Sequence, residues 1–87
     1  MDVGRITREL ELDGWSIEND RLCRTFTFDD FAQTRSFVTR ILDVAHELNH
    51  HPDVRFSYST VIVELFTHDA GRVTKKDLAF ARSLHRA

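Results

Sequence analysis

The sequence has one cysteine, one proline and three glycines, and each scarcity excludes something. A lone Cys23 cannot form an internal disulfide framework, so the residue is read as structural. With Gly4, Gly14, Gly71 and Pro52 as isolated punctuation, the chain has no linker, repeat or low-complexity stretch. No apolar run approaches the roughly 20 residues of a membrane span. The opening MDVGRITRELELDG lacks the apolar stretch of a secretory signal, so the expected compartment is the cytoplasm, with no membrane partner. A basic excess is also missing: 12 Lys and Arg stand against 14 Asp and Glu, a net charge of -2, which gives no footprint for a nucleic-acid partner. What remains is globular composition, 41% hydrophobic and 30% charged over 87 residues. The expectation is a single domain spanning residues 1–87 with a small core. Such a chain buries only about 60–65% of its unfolded surface, so an oligomer would help it.

Hydrophobic periodicity changes along the chain. Ile6, Leu10 and Leu12 among charges suit a short leading helix, which is too short to be stable unless packed. Trp15–Glu18 alternates as a strand, Asn19-Asp20 tolerates a tight left-handed turn, and Arg21–Phe28 alternates again with Leu22, Phe26 and Phe28 on one face. Asp29 or Asp30 is a helix N-cap. Phe31, Val38, Ile41, Leu42, Ala45 and Leu48 then follow at helical spacing as one expected apolar stripe, ending near Asn49, with Pro52 as the stop. Period two returns over residues 54–67, with Tyr58-Ser59-Thr60 as the turn of a second hairpin. His68-Asp69-Ala70-Gly71 reads as a loop. Thr74-x-x-Asp77 has capping-box form and opens a last helix with Leu78, Ala81 and Leu84 inward. The expected architecture is α+β: a two-layer domain, β-β-α-β-β-α after the leading helix, with a four-stranded antiparallel sheet carrying its helices on one face.

Chemistry concentrates in His46-Glu47-Leu48-Asn49-His50-His51-Pro52, and His68 lies at the end of the following strand. Histidine suits proton transfer near neutral pH, so rings at a helix end and a strand end could line one cleft. A plainer reading stands beside it, in which histidines at a helix C-terminus interact with its exposed carbonyls and dipole. His46 and His50 are also i, i+4, a spacing able to share a metal, but no Cys or acidic ligand accompanies them at convincing spacing, so no metal site is expected. Asp77 is open to two readings, the acid of a helix cap or a supporting group for catalysis. There is no Gly-rich phosphate loop, no GxSxG and no CxxC.

Taken together, His46, His50, His51, Pro52, Tyr58, His68 and Asp77, with gaps of three, five, nine and eight residues, resemble the signature of the pterin-4a-carbinolamine dehydratase family. Gly14-Trp15, Phe26-x-Phe28, Thr67-His68-Asp69 and Leu78–Ala81 extend the likeness over roughly residues 10 to 87. The resemblance implies dehydration of 4a-hydroxytetrahydrobiopterin to quinonoid dihydropterin by histidine acid–base catalysis, in tetrahydrobiopterin recycling, without metal or redox cofactor. His50 and His68 would be the proton donors and His51 would bind and orient substrate. Asn49, Phe66, Thr67 and Asp69 would add pterin contacts, with His46, Tyr58 and Asp77 supporting. A homodimer or homotetramer and coupling to an aromatic amino-acid hydroxylase are also implied. Relatives with non-catalytic roles make a dimerisation or assembly module the alternative. The chain departs from the family at His46, where Glu is often found, at Val54, where Trp is common, and at Ile62, where a mid-strand His is often found. These positions bear on affinity and oligomer geometry more than on the reaction.

Overall fold

The computed structural model describes residues 13–85, so the expected leading helix lies outside the described residues. Strand β1 spans Ser16–Glu18 and β2 Arg21–Thr27. Helix α1 runs Phe31–Leu48, β3 Asp53–Phe56, β4 Thr60–Leu65 and α2 Lys75–His85. The strands form one antiparallel sheet in the order β1-β2-β4-β3. The expected α+β architecture is thus the observed one.

Local chemistry explains each turn. Glu18 pairs with Arg21 across a two-residue loop, and both loop residues are left-handed, Asn19 at φ 52 and Asp20 at φ 60. That is the turn whose twist matches a hairpin, and Asn and Asp adopt it at low cost. The second hairpin closes through Ser57 N–H donating to Thr60 O at 2.9 Å. Asp30 caps α1, its side chain accepting from the Gln33 N–H at 2.9 Å.

Alternation along β4 is strict. Val61, Val63 and Leu65 are buried, while Thr60, Ile62 and Glu64 are only partly covered on the other face. The buried row meets Leu22 from β2, Ile41, Val44 and Ala45 from α1, and Leu78, Phe80, Ala81 and Leu84 from α2. Trp15, just ahead of β1, joins them and packs edge-on to Phe26 at 5.8 Å. Truncating one of these fully buried aliphatic residues costs about 2–5 kcal/mol in comparable cores.

The expected stripe on α1 needs correction. The buried residues are Thr34, Ile41, Val44 and Ala45, whereas Phe31, Leu42 and Leu48 are 45%, 61% and 42% exposed. The helix carries apolar residues over more than one face, and the arc through Thr34, Phe37, Val38, Ile41, Val44 and Ala45 packs into the core. Thr34 belongs to that arc because its hydroxyl donates to Tyr58 O at 2.9 Å, tying the start of α1 to the β3–β4 turn.

Candidate active site

The site starts with how α1 stops. Asn49 takes the left-handed conformation, φ 50 and ψ 45. Its N–H donates to His46 O at 3.3 Å, and the His50 N–H donates to Ala45 O at 3.1 Å. These two bonds form a Schellman closure, which satisfies the last carbonyls with backbone groups. The helix therefore ends ahead of Pro52, and the Pro52 stop expected from sequence is secondary. The closure also separates His46 from His50: His46 stays exposed on α1, and His50 has left the helical register that a metal-sharing pair would need.

Released from the helix, His50 turns inward. Its side chain is 12% exposed, and Nε2 lies 2.5 Å from Oδ1 of Asp77, which is fully buried. Asp77 Oδ2 accepts from the Thr67 hydroxyl at 2.7 Å and from the Thr74 N–H at 2.9 Å. Thr74 Oγ1 sits 2.7 Å from Thr67 Oγ1 and accepts from the Lys76 N–H at 3.3 Å. The Thr67 proton is committed to Asp77, so Thr74 donates to Thr67. Every acceptor of this buried carboxylate is matched to a donor, which such burial requires. An ionised Asp77 can only accept, so His50 donates from Nε2. Its Nδ1 has no hydrogen bond among the described residues.

Asp77 is the acid of the helix cap and also a partner of His50. Its Oδ2 reaches back to the Thr74 N–H as the acid of a capping box. Its Oδ1 holds a histidine 27 residues earlier in the chain. One carboxylate thus joins the segment after α1 to the segment after β4, because Thr67 immediately precedes His68.

The other predicted residues fall as follows. His51 is exposed beside His50. His68 is exposed in the turn closed by the Thr67–Arg72 bridge, and its ring stands edge-on to Phe66 at 5.2 Å. Asp69, in the same turn, lines a cavity of about 740 Å³ with Thr67, Arg72, Val73, Thr74 and Lys75. None of the three histidines lines that cavity. Asn49 shapes the backbone that delivers His50. Tyr58, 65% exposed and stacked on Phe31, sits in the turn at the opposite end of β4 from His68. Six residues of strand separate them, roughly 20 Å. Within the chain the structure therefore gathers His50, Thr67 and Asp77, keeps His51 and His68 adjacent in sequence to that network, and leaves Tyr58 apart. Sequence reasoning missed Thr74 as a member; its capping-box spacing was the available signal.

This arrangement is a histidine–carboxylate pair with exposed histidines attached to both of its anchors, a layout suited to proton transfer on a bound small molecule. The comparisons with known proteins agree in class. The family model described as pterin 4 alpha carbinolamine dehydratase matches residues 1–87. A family member from Sulfolobus acidocaldarius is 41% identical, the match covering 99% of this chain and 96% of that protein. Another, from Nitrobacter winogradskyi, is 43% identical over 97% of this chain and 85% of its own length. The crystal structure of a transcriptional coactivator/pterin dehydratase from Brucella melitensis superposes with a TM-score of 0.85 at 30% identity, covering 98% of this chain and 94% of that one. A pterin dehydratase-like RuBisCO assembly factor of the alpha-carboxysome shares the fold, with a TM-score of 0.67 at 24% identity over 80% of this chain and 81% of its own. The chain belongs to the pterin-4a-carbinolamine dehydratase family.

Proposed function

We propose that this protein dehydrates 4a-hydroxytetrahydrobiopterin to quinonoid dihydropterin and water. The observation that carries the reading is the buried Asp77 carboxylate holding both His50 and Thr67. In the reaction the C4a–O bond breaks as electrons from a ring nitrogen move in. The departing oxygen takes a proton and a ring N–H gives one up, so the products are water and a neutral pterin. With Asp77 on Nε2, His50 has Nδ1 left to hold or release the travelling proton. His68 is the second proton donor, and His51 binds and orients the ring. Positioned acid–base groups of this kind contribute typically about 10²–10⁴-fold. The chemistry needs no metal or redox cofactor.

The same reading takes the chain as a cytoplasmic homodimer or homotetramer that serves an aromatic amino-acid hydroxylase. What supports self-association is the exposed Phe31, Leu42 and Leu48 on α1, and the exposed Ile17 and Phe56 on the edge strands β1 and β3. Among the described residues no helix is long and apolar enough to cross a membrane.

The test is stopped-flow absorbance on 4a-hydroxytetrahydropterin made in situ by a phenylalanine hydroxylase. Wild type should accelerate dehydration, and His50→Ala, His51→Ala and His68→Ala should remove most of that gain. A folded wild type that only matches the spontaneous rate would favour the non-catalytic alternative, a coactivator-like or assembly module.

A further inference from the structure

The face of the sheet away from the helices carries a second tie between the same two histidine-bearing segments. Thr60, Ile62 and Glu64 line that face, and Phe66, one residue beyond β4, continues the row. Arg21 opens β2, one step beyond the Leu22–Leu65 pair, and reaches over the end of β4. Its guanidinium carbon lies 4.6 Å from the centroid of the Phe66 ring. Its Nη1 donates to Asp53 Oδ2 at 3.1 Å. Phe66 also meets the ring of His68, ring edge to ring face at 69°. A stack therefore runs Asp53–Arg21–Phe66–His68, and Asp53 directly follows His50-His51-Pro52. The His68 ring has no hydrogen bond among the described residues, and its ring contact is with Phe66.

We infer that Arg21 is a positioning residue for the proposed reaction: it fixes the His68 ring through Phe66 and, through Asp53, its distance from His50 and His51. The inference rests on the dehydratase reading for its consequence in rate. The physical reason is that a planar guanidinium stacks on an aromatic face while keeping its N–H edge for a carboxylate, which an ammonium cannot reproduce. Small displacements of an acid–base group are costly in rate.

The experiment uses the full chain and the variants Arg21→Ala, Arg21→Lys and Asp53→Asn. The ring ¹H and ¹³C signals of His68 are followed by NMR, with those of His85 as internal control, beside kcat and KM for dehydration. In Arg21→Ala the His68 signals should lose the ring-current shift of Phe66 and move toward those of an unrestrained histidine, while the His85 signals stay in place. The value of kcat should fall about fivefold with KM little changed, and Arg21→Lys should restore part of both effects. Unmoved His68 signals would overturn the inference, and so would moved signals with an unchanged kcat. The NMR readout needs no turnover. An inactive wild type would sink the dehydratase reading, and the signals alone would then decide whether Arg21 places His68.

Discussion

The ring of His50 meets a buried carboxylate; the ring of His85 meets an indole N–H and a guanidinium. Both residues sit at helix C-terminal ends, where the default expectation is interaction with the last carbonyls. Among the described residues neither ring hydrogen-bonds such a carbonyl. His50 donates from Nε2 to Asp77, leaving Nδ1 for other work. His85 accepts at Nε2 from Trp15 Nε1 at 2.8 Å, and Arg24 Nη1 lies 3.2 Å from the same nitrogen. An indole N–H can only donate, so His85 is held neutral with its proton on Nδ1. One partner set ties His50 to a buried carboxylate and leaves Nδ1 open; the other makes His85 a clasp joining the end of α2 to Trp15 and β2. The partner, not the residue type, assigns the chemistry.

The largest effect should come from removing the ring proposed to move the proton. His50→Gln should lower dehydration by about 10²–10⁴-fold, whereas His85→Gln should leave it within about twofold. Equal losses in stopped-flow rates would break the contrast. Removing the partner comes next. Asp77→Asn puts a donor where Thr67, Thr74 N–H or His50 needs an acceptor. It should cost about 2–4 kcal/mol in urea unfolding and reduce the rate as well. A variant as stable as wild type would mean that the network does not hold the two segments together.

A third change asks how His50 is delivered to Asp77. Asn49→Ala forces a Cβ-bearing residue without a local polar partner into the left-handed region and should cost about 1 kcal/mol. Asn49→Gly meets no such penalty and should match wild-type stability. Dehydration by Asn49→Gly then separates two roles for this residue. Retained activity would assign Asn49 to the turn, and loss with intact stability would assign it a direct pterin contact.

Much of this was legible in advance where the information is local. Alternation in β2 and β4, the Asn19-Asp20 turn, the Asp30 cap and the Thr74–Asp77 spacing are set by residues a few positions apart. The reading failed where several faces compete or partners are remote. The apolar residues of α1 do not say which arc meets the core, so Leu42 was placed inward although it is 61% exposed. Pro52 was read as the stop because its effect is intrinsic, whereas the left-handed Asn49 depends on a closure made with Ala45 and His46. Local spacing shows only the cap made by Asp77, not its tie to His50, 27 residues away. The Arg21–Phe66 stack depends on strand register. The Trp15–His85 clasp spans 70 residues, and no sequence pattern announced it.

That clasp gives the smallest effect and a sign that can be worked out. Burial, reinforced by the Arg24 guanidinium, holds the His85 imidazole below its ordinary pKa; Asp13 opposes this and Arg40 on α1 adds to it slightly. The unfolded chain therefore binds a proton near pH 6.5 while the folded ring stays neutral. The contribution of His85 to stability is complete above that pH. It declines as the pH falls below about 6.5, until the folded ring is itself protonated. His85→Gln keeps an acceptor for Trp15 but cannot titrate. The loss of stability between pH 7.5 and 5.5 should therefore be smaller in the variant than in wild type, as measured by urea unfolding at each pH. Trp15 is the only tryptophan, so its fluorescence reports the same event. Protonation breaks the Nε2 acceptor and places a cation beside the indole, so wild-type emission should change with a midpoint below 6.5, and the variant should lack that transition. An identical titration in both proteins would show that the clasp does not hold His85 neutral, and the contrast with His50 would lose its second half.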